Sequence, residues 1–190
     1  MRYYPAFLDL RGRTCLVVGE DPLAEEKASA LRRAGAVVEK QVEWDAGQAR
    51  QAFLIVVAVE DRPRVEEIAR FAERNRILLN VVDQPKYCHF ILPALLQQGD
   101  LLIAISTSGK SPALASLIRK QLERQFGSEY ANLLQVLGKV RPLVQKRLKK
   151  FEDRRDFYRQ LVADNLMETM QQAGEEGVWN RIRKSLEEWS

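Results

Sequence analysis

The sequence predicts an α/β fold in which a Rossmann-like parallel sheet is followed by an all-helical region. Short apolar segments rich in β-branched residues alternate with helical patterns in the first half, as expected of a doubly wound parallel sheet. Strand signals disappear after Pro112, where apolar residues recur at helical spacing. We therefore expect a Rossmann-like domain at 1–112 and a helical domain at 113–190.

The strands of the first half are predicted from apolar runs that end at glycines or polar residues. The first run ends at Gly19, and the amphipathic helix after it is closed by Gly35. The predicted strands are 14–19, 36–39, 52–59, 77–82 and 101–105, and the predicted helices between them are 22–34 and 63–75.

The helical half is predicted to begin with Ser111 as N-cap and Pro112 in the first turn. Glycine and proline mark the expected breaks between three or four helices. These breaks are Gly127, Gly138 with Pro142, and Gly174 with Gly177.

Composition favours a soluble globular protein with a core of ordinary size. The chain has 190 residues, of which 46% are hydrophobic, and it has no apolar run long enough to span a bilayer. No secretory leader is evident, so we expect a cytoplasmic protein with no membrane partner. Cys15 and Cys88 lack metal-binding spacing, which predicts reduced thiols and no metal site.

The formal net charge of +4 suits nucleic acid, anionic lipid or a substrate with several carboxylates. Between Lys139 and Arg155 many cations alternate with apolar residues. The favoured interpretation is an amphipathic helix with a solvated basic face. If this face borders a substrate crevice, it would instead attract a polycarboxylate. Nucleic acid is not expected as a partner, because no recognition motif accompanies the charge.

Asp83 is the strongest candidate for a chemical role. It follows the apolar run 77–82, and the carboxyl ends of parallel strands face the ligand crevice of an open sheet. A second loop, rich in hydroxyl groups, follows the run 101–105 and opens the helix at Ser111. The two loops are predicted to converge on one site. The alternative role for Asp83 is a cap or turn acid before Pro85.

The turn after the first strand has part of a dinucleotide-binding fingerprint. Gly19 and the small Ala24 fit a turn in which backbone amides approach a pyrophosphate. Glu20 and Asp21 carry charge that repels phosphate. Glu39, predicted at the end of the second strand, is placed to bind a ribose hydroxyl, and ordinary surface chemistry explains it equally well.

Four segments together resemble the precorrin-2 dehydrogenase and sirohydrochlorin ferrochelatase family, the dehydrogenase-chelatase part of siroheme synthase. They are 4–13, 80–83, 90–93 and 104–115. The resemblance implies a Rossmann domain, a dimerisation segment and a small helical module, assembled as a homodimer around a tetrapyrrole crevice. Such enzymes oxidise precorrin-2 to sirohydrochlorin with NAD, and some then insert ferrous iron.

The resemblance also implies roles for individual residues. Asp83 matches the family's essential acid, which would remove a proton from the macrocycle or from the pyrrole nitrogens as metal enters. The hydrogen-bonding and charged side chains implied for the substrate carboxylates are Ser106, Thr107, Ser108 and Lys110. A polar turn with a helix cap explains that loop almost as well. His89 would shuttle protons or touch the metal, although surface or packing duty is favoured.

The departures from the family pattern fall on the cofactor side. Residues 19–21 read Gly-Glu-Asp where the family has three glycines, with Leu23 following, and Val59 stands where threonine is common. The segment 40–51 is also short for a crossover. Three hypotheses follow: an active NAD-dependent dehydrogenase, a chelatase without hydride transfer, or a non-catalytic tetrapyrrole-binding or regulatory protein.

Overall fold

The computed structural model describes residues 3–189, which divide into two compact units between Leu92 and Pro93. The first unit holds a four-stranded parallel sheet in the order β2-β1-β3-β4. Its strands are β1 Thr14–Val18, β2 Val37–Gln41, β3 Leu54–Val57 and β4 Leu78–Val81. Its helices are α1 Pro22–Arg33, the single turn α2 Ala46–Ala49 and α3 Arg62–Asn75.

The sheet is buried on both faces. Successive residues of each strand point to opposite faces, so each strand contributes side chains to two cores. One face packs against α3 and α2, and its core includes Leu16, Ile55, Val57 and Ile68. The other face packs against α1, and its core includes Cys15, Val17, Val56 and Ala28. The Rossmann-like architecture predicted for the first half is confirmed.

The second unit begins with an antiparallel hairpin and continues as helices. Its elements are β5 Ala94–Gln98, β6 Leu101–Ile105, α4 Pro112–Gln125, α5 Ser128–Arg147, α6 Phe151–Ala163 and α7 Leu166–Glu188. The placement of 101–105 in the parallel sheet was wrong, since β6 pairs antiparallel with β5 in a sheet of its own. Gly99 and Asp100 form the two-residue connection, a spacing that signals a hairpin. The predicted domain division after residue 112 stays a prediction.

The helix breaks follow packing more than composition. Gly127 caps α5, and Gly174 interrupts α7 with φ 63°, as predicted. Gly138 and Pro142, however, lie inside α5, which continues through them. The buried face of α5, formed by Val136, Val140 and Val144, packs against α6 and α7. Tertiary packing of an apolar face outweighs the one hydrogen bond that a proline removes.

The chain leaves α5 at Leu148 instead, and it enters α6 at Phe151.

Across residues 3–189, no helix has the length and apolar character needed to cross a membrane.

Candidate active site

Three parallel strands of the first unit deliver candidate residues to the same edge of the sheet. Gly19 follows β1, Val59 lies just beyond β3, and Asp83 lies just beyond β4. Because the strands are parallel, their carboxyl ends share one edge, where open α/β sheets bind ligands.

Asp83 occupies a strained turn at this edge. Its φ is 57°, in the left-handed region that non-glycine residues seldom adopt, and its side chain is exposed. The turn is closed by the Gln84 amide, which donates to the Val81 carbonyl at 3.2 Å. Such conformations cost free energy and cluster at functional sites. The turn therefore presents the carboxylate to solvent at the mouth of the sheet.

The segment after Asp83 folds back along β4 and satisfies its open edge. The Cys88 thiol lies 3.2 Å from both the nitrogen and the carbonyl oxygen of Val81. The His89 amide donates to the Leu79 carbonyl at 2.8 Å, and the Asn80 side chain donates to the Phe90 carbonyl at 3.0 Å. Burial raises the pKa of the Cys88 thiol, which keeps it protonated and able to donate. We call this segment, residues 84–90, the return loop.

Two side chains anchor the return loop to α3. The Tyr87 hydroxyl donates to Glu66 at 3.0 Å. The His89 ring contacts the Ile77 carbonyl oxygen through Nδ1 at 3.1 Å and the Glu73 carboxylate through Nε2 at 3.2 Å. Both ring nitrogens of His89 thus lie against acceptors of the surrounding fold.

The turn after β1 has the shape that a dinucleotide requires. Gly19 has φ 137°, and a Cβ there would lie 2.6 Å from the Ala58 carbonyl oxygen and 3.2 Å from the Ala24 Cβ. Only glycine fits this close approach between the first turn and β3. Leu23 is half-buried and Ala24 fully buried as α1 packs on the sheet.

The charge of the same turn opposes an anion. The Asp21 carboxylate caps α1 by accepting from the Ala24 amide at 2.7 Å, so it takes a donor that a phosphate would use. Pro22 has no amide hydrogen, and the exposed Glu20 adds a further negative charge. The turn therefore fits a dinucleotide in shape, and its carboxylates lower the affinity expected for one.

The second strand differs from the prediction. β2 extends to Gln41, so Glu39 lies two residues before its end, in register with Leu16. The side chain at the strand end belongs instead to Gln41, which is buried and exchanges hydrogen bonds with the Asp45 backbone at 3.0 and 3.3 Å. These hydrogen bonds between Gln41 and Asp45 were not predicted from the sequence. The available signal was Asp45 itself, because an aspartate whose carboxylate accepts from the Gly47 amide is typical of a turn after the strand.

The hydroxyl-rich loop lies in the second unit, between β6 and α4. Thr107 is committed to the loop itself, because its hydroxyl donates to the Ser111 carbonyl and accepts from the Ser111 amide, each at 3.1 Å. Ser111 caps α4 through the Leu114 amide at 3.2 Å, as predicted.

Three members of the loop present their side chains to solvent. Ser106, Ser108 and Lys110 are exposed. The Ser108 amide donates to the Ser106 hydroxyl at 3.0 Å, and Ser108 has φ 55°. The hydroxyl hydrogens of Ser106 and Ser108 and the Lys110 ammonium group are donors that this loop can offer to a ligand.

Metal-ligating groups do not cluster in the part of the chain that the structure describes. No group of three or more His, Cys, Asp and Glu side chains there has an arrangement that could hold a metal ion.

Comparison with protein families gives three consecutive matches along the chain. Residues 6–94 match the family described as "Putative NAD(P)-binding". Residues 98–125 match "Sirohaem biosynthesis protein central", and residues 129–186 match "Sirohaem synthase dimerisation region". The three matches follow one another with short gaps and cover most of the chain.

The chain belongs to the siroheme synthase family, whose central and dimerisation regions it matches. The siroheme synthase of Nitrosococcus oceani is 32% identical over 98% of this chain and 44% of the relative. The siroheme synthase of Photorhabdus laumondii is 34% identical over 84% of this chain and 38% of the relative. This member of the siroheme synthase family thus spans less than half the length of these relatives.

A solved structure has the same fold. "SirC, precorrin-2 dehydrogenase" superposes with a TM-score of 0.71 at 22% identity, covering 96% of this chain and 100% of that protein. The resemblance predicted from the four sequence segments is confirmed.

Proposed function

We propose that this protein is a precorrin-2 dehydrogenase of siroheme biosynthesis, which oxidises precorrin-2 to sirohydrochlorin with NAD. The observation that carries the proposal is the exposed Asp83 carboxylate, in a left-handed turn at the carboxyl edge of a Rossmann-like sheet. It stands in a chain that matches siroheme synthases along nearly its whole length.

The oxidation removes one hydride and one proton from the macrocycle. NAD, when bound, supplies the acceptor for the hydride. Asp83 is proposed to accept the proton, and its exposure leaves the carboxylate accessible to a substrate. The return loop would fix the direction of this carboxylate, since its hydrogen bonds to β4 and α3 hold the segment that follows Asp83.

The other candidate residues take supporting roles in this proposal. The backbone at Gly19, Leu23 and Ala24 would hold the pyrophosphate once Asp21 releases the Ala24 amide. Ser106, Ser108 and Lys110 would bind substrate carboxylates, because they are the exposed donors of the hydroxyl-rich loop.

A homodimer is the proposed assembly. The match of residues 129–186 to a dimerisation region supports it. Exposed apolar side chains on the hairpin and α4 also support it, since a second subunit would cover them. They are Leu95 and Leu102 on the hairpin and Leu114 and Leu117 on α4.

A second candidate function is insertion of ferrous iron into sirohydrochlorin, with or without hydride transfer. The capping of α1 by Asp21 favours it, because the cap is expected to weaken NAD binding. Iron insertion needs a base and no NAD, so weak NAD binding would not impair it. In that reaction Asp83 would accept protons displaced from the pyrrole nitrogens. A tetrapyrrole-binding protein without turnover is the remaining alternative.

The test is anaerobic incubation of the purified protein with precorrin-2 and NAD, with sirohydrochlorin followed by absorbance. Wild-type turnover that falls by a factor of about 100 or more in Asp83→Ala, as expected for loss of a general base, would support the proposal. Asp100→Asn serves as the control, since it removes an exposed carboxylate from the hairpin connection.

The remaining outcomes separate the alternatives. Absence of turnover in a folded wild-type protein would overturn the dehydrogenase proposal. Iron insertion without added NAD, lost in Asp83→Ala, would establish the chelatase. Tetrapyrrole binding with neither reaction would leave the non-catalytic role.

A further inference from the structure

An open groove with a volume of about 1020 Å³ lies between α5 and α6 in the second unit. Its apolar lining consists of Leu134, Leu137, Phe151, Tyr158, Val162 and Ala163. Phe151 is 70% exposed and Val162 is 62% exposed, although α6 buries its opposite face in the helical core. The volume is at the upper end of the range for small-molecule sites.

Four arginines provide most of the polar lining of this groove, together with Gln145. They are Arg141, Arg154, Arg155 and Arg159, and the lining contains no carboxylate. One acid nearby, Asp156, lies 2.8 Å from Arg155 and 3.8 Å from Arg159. Arg154 donates only to backbone carbonyls, those of Leu148 and Lys149. Within residues 3–189, Arg141 has no ion-pair partner, so the groove carries an excess of positive charge.

Tyr158 adds an unsatisfied donor to the same lining. Its hydroxyl is buried and has no hydrogen-bond partner among the residues that the structure describes. Buried polar groups are rarely left unpaired, because the lost hydration is costly. Burial raises the pKa of Tyr158, while the charges of Arg141 and Arg154 act in the opposite direction. The hydroxyl therefore stays protonated near two guanidinium groups.

We propose that this groove binds an apolar molecule that carries several carboxylates. The apolar body would cover Phe151 and Val162, and the carboxylates would pair with Arg141 and Arg159. A tetrapyrrole polycarboxylate is the ligand of this class that fits the proposed function, and that identification rests on it. These residues have no part in the proton transfer assigned to Asp83.

The charge of the groove argues against a second copy of the chain as its occupant. In a two-fold interface the same patch meets itself. Four arginines would then face four arginines, and like charges across an interface are repulsive. Part of the basic pattern between Lys139 and Arg155 thus lines this groove, in addition to forming a solvated helix face.

The test is titration of the full chain with uroporphyrin III, a flat ring with eight carboxylates, followed by porphyrin fluorescence anisotropy. The double variant Arg141→Gln/Arg159→Gln is expected to weaken binding about tenfold. The matched control, Lys146→Gln/Arg147→Gln, removes the same charge from exposed positions on α5 that do not line the groove. It should bind like the wild type.

Two further variants probe the apolar and hydroxyl parts. Phe151→Ala removes a side chain that is 70% exposed, so it should fold normally and still weaken binding. Tyr158→Phe deletes only the unpaired hydroxyl and should weaken binding without loss of thermal stability.

Each other result overturns the proposal. Equal affinity in the groove and control double variants would show that only general charge attraction is at work. An affinity loss accompanied by a fall in solution mass would make the groove an interface between copies.

Precorrin-2 turnover, measured in parallel, keeps the two proposals distinct. If precorrin-2 is turned over but porphyrin binding is the same in the groove variants as in the wild type, only the groove proposal is refuted. Groove-dependent binding without turnover would refute the dehydrogenase alone.

Discussion

The Cys88 thiol lies 3.2 Å from the backbone nitrogen and 3.2 Å from the carbonyl oxygen of Val81, so one side chain satisfies both polar groups at the open edge of β4. Removing it in Cys88→Ala leaves the Val81 amide without a partner, while the Val81 carbonyl keeps the hydrogen bond from the Gln84 amide at 3.2 Å. We expect the free energy of unfolding to fall by about 1–2 kcal/mol, the usual cost of one unpaired buried backbone group. Urea unfolding followed by far-UV circular dichroism measures this.

Cys88→Ser is the matched control, because a hydroxyl also accepts and donates a hydrogen bond. It should retain more stability than Cys88→Ala. Equal losses in both variants would show that the thiol contributes packing rather than hydrogen bonds.

Asp83 is expected to limit stability while it serves activity. Its φ of 57° suits glycine, so Asp83→Gly should raise the free energy of unfolding by about 1 kcal/mol and abolish turnover. Arg76 has φ 56° at the end of α3, so Arg76→Gly should stabilise similarly and leave turnover unchanged. Denaturant midpoints and precorrin-2 turnover are the two measurements. Full turnover in Asp83→Gly would remove the carboxylate from the mechanism.

The acidic turn after β1 should limit NAD affinity. Glu20→Gly/Asp21→Gly removes two charges from the N-terminus of α1 and frees the Ala24 amide. We expect NAD to bind about tenfold tighter, since each charge near a helix end contributes about 0.3–1 kcal/mol. Replacing an aspartate cap by glycine costs only a few tenths of a kcal/mol, roughly, so the helix should persist.

Isothermal titration calorimetry measures this affinity, and Glu26→Gln is the control on the same helix. Glu26 is exposed and lies beyond the capped turn, so its loss should change NAD binding little. Unchanged affinity in the double glycine variant would mean that the carboxylates are not the obstacle.

Glu25 should make stability depend on pH in the acid range. Hydrogen bonds from Lys40 at 2.8 Å and Arg32 at 2.7 Å lower the pKa of Glu25 from 4.5 to about 2. A carboxylate whose pKa is lowered by folding stabilises the protein above its unfolded pKa. That contribution is lost as the pH falls from about 4.5 toward 2.

The melting temperature of Glu25→Gln should therefore lie slightly below that of the wild type at pH 7, and the difference should shrink below pH 4.5. Thermal unfolding at low salt across this range measures it. Glu39→Gln, which removes an exposed carboxylate from β2, should not reproduce the trend. A difference that stays constant down to pH 3, within the range where the contribution is lost, would contradict the role of Glu25.

The position of Asp83 was predictable, whereas its setting was not. An apolar run followed by an acid places that acid at the carboxyl end of a strand whatever the neighbours are. The return loop bonds to the free edge of β4, and that edge is free because β4 is the last strand of the parallel sheet. No local pattern around Cys88 indicates that its thiol will bond to Val81.

The same distinction applies to Leu101–Ile105. Its apolar, β-branched composition correctly predicted a strand. Its partner strand is determined by the connection that precedes it. The two-residue connection at Gly99 and Asp100 permits antiparallel pairing with Ala94–Gln98, which needs no crossover helix. A connection of this length excludes parallel pairing between these two strands.

The sequence by itself determined the alternation of strands and helices, the acid at the end of β4, the glycine at the first turn and the family resemblance. These features depend on local periodicity and on short motifs. Tertiary structure decided the continuity of α5 through Pro142, the contact of the Cys88 thiol with Val81 and the arginine groove between α5 and α6. Each of these depends on how helices and the free sheet edge pack once the core has formed, which no local pattern specifies.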